Sequence, residues 1–145
     1  MRELKTEIQI STKPEKVWGI LMDLQGWPSW NPIVTKIEGD RKIGSELSIS
    51  MCDEKGNGGT SYKSIITSLD EKKRFGFVGV MMTKFMFSAE RIIELEELSG
   101  GTRLVQREIY TGILAPLFWG KLNARALPML KSMNEGLKKK AESQA

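Results

Sequence analysis

The chain has 145 residues, 40% of them hydrophobic, which is enough to bury one sizeable core without disulfide staples. It contains a single cysteine and no histidine, which excludes an internal disulfide framework and the usual histidine-based metal and proton-transfer sites. The net charge is +4, but basic and acidic residues are interleaved along most of the chain, so the charge alone does not indicate nucleic-acid or membrane binding.

The N-terminal part of the chain predicts one strand followed by two short helical segments. Apolar and polar residues alternate over residues 3–10, which is typical of a strand with one buried and one wet face. A helix starts next, because the hydroxyl of Ser11 or Thr12 can cap it and Pro14 is tolerated in a first turn. Two prolines in residues 26–32 then force a short turn that holds two tryptophans, which either cover a core or line an opening.

Six further strands are predicted in the middle of the chain. Alternating apolar residues place them at residues 33–38, 47–51, 62–70, 75–79, 83–97 and 102–111. The first of these strands should direct Ile33, Thr35 and Ile37 to one face, and residues 56–59 should form a flexible glycine-rich turn. Because the connecting loops are too short for crossovers, neighbouring strands should pair antiparallel.

The last long stretch predicts a helix from about Leu117 to Ala141. Its apolar residues recur every three to four positions, at Phe118, Leu122, Ala126, Met129, Met133 and Leu137. A helix of roughly 37 Å needs a broad apolar surface, which the strands supply. Pro128 has no N–H to donate, so we expect a bend there. The apolar stripe either packs into a core or forms one wall of a ligand chamber.

The turn at Ser99-Gly100 fixes the predicted register of the last two strands. If Leu98 faces Gly101, the cross-strand pairs are Leu95 with Leu104, Ile93 with Gln106, Arg91 with Glu108, and Ala89 with Tyr110. The inner face is then apolar near the turn and polar further in. Arg91 and Glu108 form the clear pair of opposite charges that this register directs inward.

Targeting segments and linkers are not evident. The first residues are charged and no run of about 18 apolar residues occurs, so we expect neither a secretory signal nor a membrane-spanning helix. The lone Cys52, a small residue at a strand end, is consistent with a reducing compartment, and we expect a cytoplasmic protein. Repeats and low-complexity segments are absent, so we expect residues 1–145 to form one domain.

The order of these motifs resembles the polyketide cyclase/dehydrase and lipid-transport family of the START-like (SRPBCC) superfamily. The motifs are Pro14-Glu15-Lys16-Val17-Trp18, Trp27-Pro28-Ser29-Trp30-Asn31-Pro32, Gly101-Thr102-Arg103-Leu104 and Gly112-Ile113-Leu114-Ala115-Pro116-Leu117. The resemblance implies an α+β helix-grip fold, in which a curved seven-stranded antiparallel sheet surrounds a long C-terminal helix and two short helices follow strand 1. It also implies a chamber for an apolar or amphipathic ligand between sheet and helix.

The resemblance leaves the function open, because members include allergens of the birch-pollen type, lipid carriers, aromatase/cyclases, quinone-binding proteins and chaperone activators. Many members carry a polar residue, often histidine, about where Arg91 stands in this chain. Arginine removes that titrating group.

Three functional classes fit these residues. We favour a carrier or sensor of a hydrophobic small molecule, such as a lipid, quinone or polyketide-like compound, because it needs the chamber alone. The alternative is a cyclase or dehydratase without a metal, in which Arg91 stabilises an enolate and Glu108, Tyr110 or Tyr62 transfers the proton. A glutamate held ionised by an arginine is a weak base, so an enzyme is the less favoured interpretation. The third class is a protein-interaction module of the chaperone-activator type.

Candidate ligand-binding residues lie on the predicted inner face and on the helical stripe. They are Trp30, Tyr62, Ile66, Phe77, Phe87, Arg91, Ile93, Gln106, Glu108, Tyr110, Phe118, Leu122, Met129 and Met133. We expect no cofactor and no metal, because the clustered carboxylates alternate outward or lie beside a turn. The expected partner is a hydrophobic or amphipathic small molecule, with no nucleic acid and no stable membrane insertion. The sequence does not indicate an oligomeric state.

Overall fold

A computed structural model describes residues 2–52, 60–81 and 86–143, apart from four side chains, those of Thr60, Val80, Met81 and Leu122. The predicted turn at residues 56–59 and the predicted start of a strand at residues 83–85 lie outside this part of the chain.

The elements follow the predicted order. Strand β1 covers Arg2–Ile10, helix α1 covers Pro14–Met22, and a 3₁₀ helix covers Leu24–Ser29. Strands β2 to β7 cover Val34–Glu38, Glu46–Met51, Thr60–Asp70, Arg74–Met81, Phe87–Leu98 and Gly101–Thr111, and helix α2 covers Ala115–Ser143. The two short helices after strand 1 and the long C-terminal helix are therefore confirmed.

The seven strands form one antiparallel sheet in the order β1-β7-β6-β5-β4-β3-β2. Strand β1 forms one edge of the sheet and pairs with β7, so the first and last strands of the chain lie side by side, while β2 forms the other edge. All the cross-strand pairs predicted for the β6–β7 hairpin are present, including Arg91 opposite Glu108. Together with α2 this arrangement is the helix-grip fold, of class α+β.

Two local predictions were wrong. Neither Ser11 nor Thr12 caps helix α1, because the helix starts one residue later, with Lys13 as its N-cap and no side-chain cap. Strand β2 does not alternate as expected: Val34 is buried and Thr35 is exposed. The register of β2 against β3 shifts between Val34 and Lys36, and an extra residue in a strand moves the following side chains to the other face.

The two tryptophans of the proline-rich turn belong to the packed core. Trp27 is fully buried, and its indole Nε1 donates a hydrogen bond to the carbonyl oxygen of Leu21 at 2.9 Å. Its ring lies 5.3 Å from that of Trp30 and 6.4 Å from that of Phe75, centre to centre. Asn31 ends the turn, since its side-chain oxygen accepts hydrogen bonds from the backbone N–H groups of residues 33 and 34.

Apart from that of its first residue, Ala115, the described side chains of helix α2 are fully buried only at positions in its C-terminal half. Leu130, Met133, Leu137 and Ala141 are buried, whereas residues 116–118 are exposed. Of the predicted apolar stripe, Phe118 is exposed, Ala126 and Met129 are partly buried against the core, and Met133 and Leu137 are fully buried. Pro128 lies inside the helix close to this change, and the bend expected there stays a prediction.

Candidate ligand chamber

A cavity of about 390 Å³ lies between the inner face of the sheet and helix α2. This volume falls within the range of small-molecule sites in proteins. Its lining is mostly apolar and comes from strands β3 to β7 and from α2, namely Met51, Tyr62, Lys63, Ser64, Phe77, Gly79, Phe87, Ala89, Arg91, Glu108, Ala126 and Met129. A larger groove of about 1240 Å³ lies on the outer face, but it is lined mainly by charged side chains, several of them ion-paired to one another. We therefore take the inner cavity as the candidate site and call it the chamber.

The chamber exists because small residues line up across three neighbouring strands. Ser64 of β4 pairs with Gly79 of β5, which pairs with Ala89 of β6, and all three line the chamber. A Cβ added to Gly79 would lie 3.5 Å from the Ser64 hydroxyl and 3.6 Å from the Tyr62 ring, which is ordinary contact. The backbone there tolerates a side chain, so the glycine leaves open space in front of the sheet.

The next row of the sheet supplies the charged groups. Phe77 pairs with Arg91, which pairs with Glu108. The Nε and Nη2 atoms of Arg91 both donate to Oε2 of Glu108, at 2.8 and 2.5 Å, and Nη1 donates to Oε1 of Gln106 at 3.0 Å. The two charged side chains are only 11% and 14% exposed. Burial by itself would lower the pKa of the Arg91 guanidinium. The neighbouring Glu108 carboxylate has the opposite effect, and on balance the pKa is raised above its ordinary value.

A chain of hydrogen bonds continues from this ion pair into the core. Gln106 donates from Nε2 to Oδ1 of Asn134 at 2.7 Å, and Asn134 donates from Nδ2 to the Thr6 hydroxyl at 2.8 Å. Thr6 in turn donates to the backbone oxygen of Gln106 at 3.2 Å. These bonds connect β6, β7, α2 and β1, so the charged wall of the chamber is held by four elements.

Two phenols flank the ion pair. Burial is the main cause that raises the pKa of both Tyr62 and Tyr110, and the Glu108 carboxylate adds to it. Both phenols therefore stay protonated at neutral pH and can donate hydrogen bonds. Tyr62 lines the chamber, whereas Tyr110 packs its ring against Phe87, with the ring centres 6.0 Å apart. Within the described residues, the buried hydroxyls of Ser64 and Tyr110 make no hydrogen bond of good geometry.

The structure brings part of the predicted ligand-binding set to the chamber. Six members line it, namely Tyr62, Phe77, Phe87, Arg91, Glu108 and Met129. Tyr110 and Phe118 pack against Phe87 instead. The side chain of Leu122 lies outside the described part of the structure.

The remaining members are core residues behind the charged row. Trp30, Ile93, Gln106 and Met133 surround a space of only about 10 Å³, and Ile66 is fully buried. Such a space is hardly enough for one water molecule. Ligand contact by these five residues stays a prediction, and so does ligand contact by the six predicted residues that line the chamber.

Six lining residues, and the polar residue that supports the charged row, were not on the list of candidate ligand-binding residues. The additional lining residues are Met51, Lys63, Ser64, Gly79, Ala89 and Ala126. Asn134 was also missed, although a signal for it exists: it follows Leu130 by four residues and precedes Leu137 by three. A polar residue on the buried face of a helix needs hydrogen-bond partners inside the protein.

Metal and membrane-spanning features can be stated for the described ranges only. In residues 2–52, 60–81 and 86–143 there is no group of three or more His, Cys, Asp and Glu side chains that could hold a metal ion. Within the same ranges, no helix is both long and apolar enough to cross a bilayer.

Comparisons with known proteins agree with this architecture. The family model described as polyketide cyclase / dehydrase and lipid transport matches residues 1–142. A comparison with curated protein sequences gave no significant match.

Solved structures share the fold at low sequence identity. The Zhui aromatase/cyclase from Streptomyces sp. R1128 is 14% identical with a TM-score of 0.78, over 97% of this chain and 93% of its own. The protein TTHA0849 from Thermus thermophilus is 18% identical with a TM-score of 0.77, over 99% of both chains. Ara h 8.0201 is 15% identical with a TM-score of 0.66, over 98% of both chains.

Proposed function

Because the chain belongs to the polyketide cyclase / dehydrase and lipid transport family, we propose that it binds an apolar small molecule with one neutral polar group in the chamber. The observation that carries this proposal is the chamber itself, about 390 Å³ of mostly apolar lining with one charged row in its wall. Apolar surface provides the affinity in such sites, and a few fixed polar groups orient the ligand.

The state of the ion pair supports a neutral polar group. Both hydrogen bonds that Arg91 donates to Glu108 go to Oε2. The Oε1 atom of Glu108 can therefore accept a hydrogen bond from a ligand or from the nearby Tyr110 hydroxyl. The positive charge of Arg91 is already balanced. An anionic ligand would add an uncompensated charge to a largely buried wall, which costs free energy. A hydroxyl or carbonyl group needs no such compensation, and the Tyr62 phenol can donate to it.

A second candidate, an enzyme of the cyclase or dehydratase type, is favoured by one observation. Tyr62 and Glu108 line the same chamber, so a protonated phenol and a carboxylate face one space, with Arg91 between them in the wall. An acid, a base and a cation are the groups that enolate chemistry requires. Two hydrogen bonds from Arg91 already occupy one oxygen of Glu108, so binding remains the primary proposal.

A matched pair of glycine substitutions tests binding in the chamber. Gly79→Leu places a side chain inside the chamber, whereas Gly19→Leu places the same side chain on the exposed face of α1, where nothing lies within 4 Å of the added Cβ. Nile red, a neutral apolar dye, should bind to the wild type and to Gly19→Leu, and binding should fall at least about ten-fold in Gly79→Leu. Equal binding by both variants, with both folded by circular dichroism, would place the binding site elsewhere.

The class of natural ligand requires an independent measurement. Native mass spectrometry of freshly purified protein should show an added mass that disappears on denaturation. Conversion of that molecule by the wild type, but not by Glu108→Gln, would favour the enzyme over the carrier.

A further inference from the structure

The end of the molecule next to the chamber exposes an apolar surface that ligand binding inside the chamber does not explain. Ile113 is 55% exposed, Leu117 74% and Phe118 36%, and the three lie within six residues of one another. The other large hydrophobic side chains exposed in the described part of the chain, Ile43 and Ile65, are separate from this group. Clustered apolar side chains in water indicate a binding surface, whereas single ones do not.

The backbone holds these side chains outward. Gly112 has a φ of +105°, and a Cβ there would lie 2.5 Å from the backbone oxygen of Met86, so the chain approaches β6 as closely as glycine allows. Leu114 donates its N–H to the same oxygen at 3.0 Å, and Ala115 is fully buried. One side of the turn is thus fixed to the sheet, and the side chains of Ile113 and Leu117 are exposed to solvent on the opposite side.

This surface borders the chamber. The ring of Phe118 packs edge-on against that of Phe87, 6.2 Å between centres, and Phe87 lines the chamber. Ala126 and Met129, further along α2, also line the chamber. The exposed apolar group therefore lies at the start of α2, and the part of the helix that lines the cavity follows it.

The charged residues that follow the apolar group along the chain are positive as far as residue 134. The sequence has no acidic residue between Glu108 and Glu135, while Lys121 and Arg125 follow Leu117 at four-residue intervals and are exposed. Residues four apart share one face of a helix. Arg2 adds a further cation, with its guanidinium 5.7 Å from the ring centre of Trp119.

We propose that Ile113, Leu117, Phe118, Lys121 and Arg125, which we call the mouth surface, dock on the surface of an anionic lipid bilayer. A helix with apolar side chains and basic residues lies at the boundary between headgroups and acyl chains, and anionic lipids attract its cations. Three apolar side chains give shallow and reversible contact. A second copy of the chain fits less well, because the basic residues of two mouth surfaces would repel each other. The proposal adds a route by which a water-insoluble ligand reaches the chamber, and it holds whether or not the ligand is the neutral one proposed above.

Vesicle co-sedimentation of the full chain tests the mouth surface. At low ionic strength the wild type should bind to vesicles of phosphatidylcholine mixed with phosphatidylserine, and bind much more weakly to phosphatidylcholine alone. Lys121→Glu/Arg125→Glu should lower the affinity for the mixed vesicles by at least about ten-fold. Leu117→Ser should lower it without changing the net charge. Added salt should weaken the wild-type binding.

The control is Lys42→Glu/Lys139→Glu, which changes the net charge equally at exposed positions outside the mouth surface. It should retain most of the wild-type binding. An equal loss in both double variants would show attraction by net charge alone and overturn the proposal. A second result would also overturn the proposal: the wild type does not bind the mixed vesicles but self-associates in sedimentation velocity, and Leu117→Ser abolishes the self-association. The mouth surface would then be a contact between two copies of the chain.

Discussion

Arg91 and Glu108 face each other across the β6–β7 ladder, and two nitrogens of the arginine converge on one oxygen of the glutamate. The geometry explains how a charged pair can stand in the wall of an apolar chamber. Each charge is balanced by the other, and Gln106 accepts a further hydrogen bond from the arginine. A buried pair of this kind contributes less than its Coulombic energy, because both ions have lost their water.

Removing one member of the pair should destabilise the fold more than removing both. We expect Arg91→Met and Glu108→Gln each to lower the free energy of unfolding by about 3 kcal/mol, because each leaves a largely buried charge without its partner. The double variant should recover much of that loss. Urea unfolding of the singles and the double measures the coupling. As a control, Lys36→Met breaks an exposed pair with Glu38 and should cost less than about 1 kcal/mol. Additive single effects of a few tenths of a kcal/mol would contradict the buried pair.

The same pair should set the ligand preference of the chamber. A long-chain alcohol should displace Nile red at a lower concentration than the fatty acid of equal chain length, by at least about ten-fold. In Glu108→Gln the arginine has no carboxylate partner, so the affinity for the fatty acid should rise and the affinity for the alcohol should not. A wild type that prefers the acid would mean that Arg91 is free to bind anions, contrary to its hydrogen bonds.

Asn134 should matter for stability although it lies outside the lining of the chamber. It is 3% exposed and bridges Gln106 to Thr6. Asn134→Leu leaves a buried amide and a buried hydroxyl without this partner, and we expect the free energy of unfolding to fall by about 2 to 3 kcal/mol. Exposed Asn123, on the same helix, is the control, and its replacement by leucine should change stability by less than about 0.5 kcal/mol. Equal effects at both positions would show that the network contributes little.

The β6–β7 hairpin was predictable to the residue, and strand β2, at the far edge of the sheet, was not. In the hairpin, a tight turn at Ser99-Gly100 fixes which residues face each other, and the period of two carries that register along both strands. This is why the sequence could place Arg91 opposite Glu108. In β2 the bulge after Val34 changes the facing of the later residues, and nothing in the local pattern of Ile, Val and Thr indicates it.

Helix α2 shows what periodicity cannot decide. Phe118 and Leu137 belong to the same apolar stripe, yet the first is exposed and the second is buried. A stripe tells which face of a helix is apolar, but the length of that face covered by the sheet depends on where the strands end. Trp30 is a similar case, since its place in the core depends on Trp27 and on the turn that carries both.

Helix α2 approaches the proline-rich turn so closely at Gly136 that we expect only glycine to fit at this position. A Cβ at this position would overlap the backbone oxygen of Trp30, and no side-chain movement can relieve an overlap with backbone. We therefore expect Gly136→Ala to destabilise the protein by at least about 2 kcal/mol, despite the better helix propensity of alanine.

Gly120 supplies the matched control on the same helix. Nothing lies within 4 Å of a Cβ added there, so Gly120→Ala should raise the free energy of unfolding by up to about 1 kcal/mol. Thermal unfolding of the two variants should therefore shift in opposite directions. Shifts of the same sign would mean that the helix does not approach Trp30 as closely as the structure indicates.

The two tyrosines predict how stability depends on alkaline pH. Burial first, and then the Glu108 carboxylate, raises the pKa of the Tyr110 phenol above its ordinary value of 10.0, and burial also raises that of Tyr62. An unfolded phenol loses its proton near the ordinary value, while the folded one keeps it. Above about pH 10 the unfolded state therefore binds fewer protons than the folded state, so the free energy of unfolding falls as the pH rises. Below that pH the stability that the two protonated phenols contribute is fully present.

Tyrosinate absorbance measures this difference directly, because the chain has no tyrosines besides these two. The folded protein should show little tyrosinate at about pH 10.5, where the same chain in guanidinium chloride is largely ionised. Tyr62→Phe isolates the signal of Tyr110, which should appear only together with unfolding. If the folded and unfolded chains instead titrate together, water reaches both phenols freely, and the charged wall of the chamber is open to solvent.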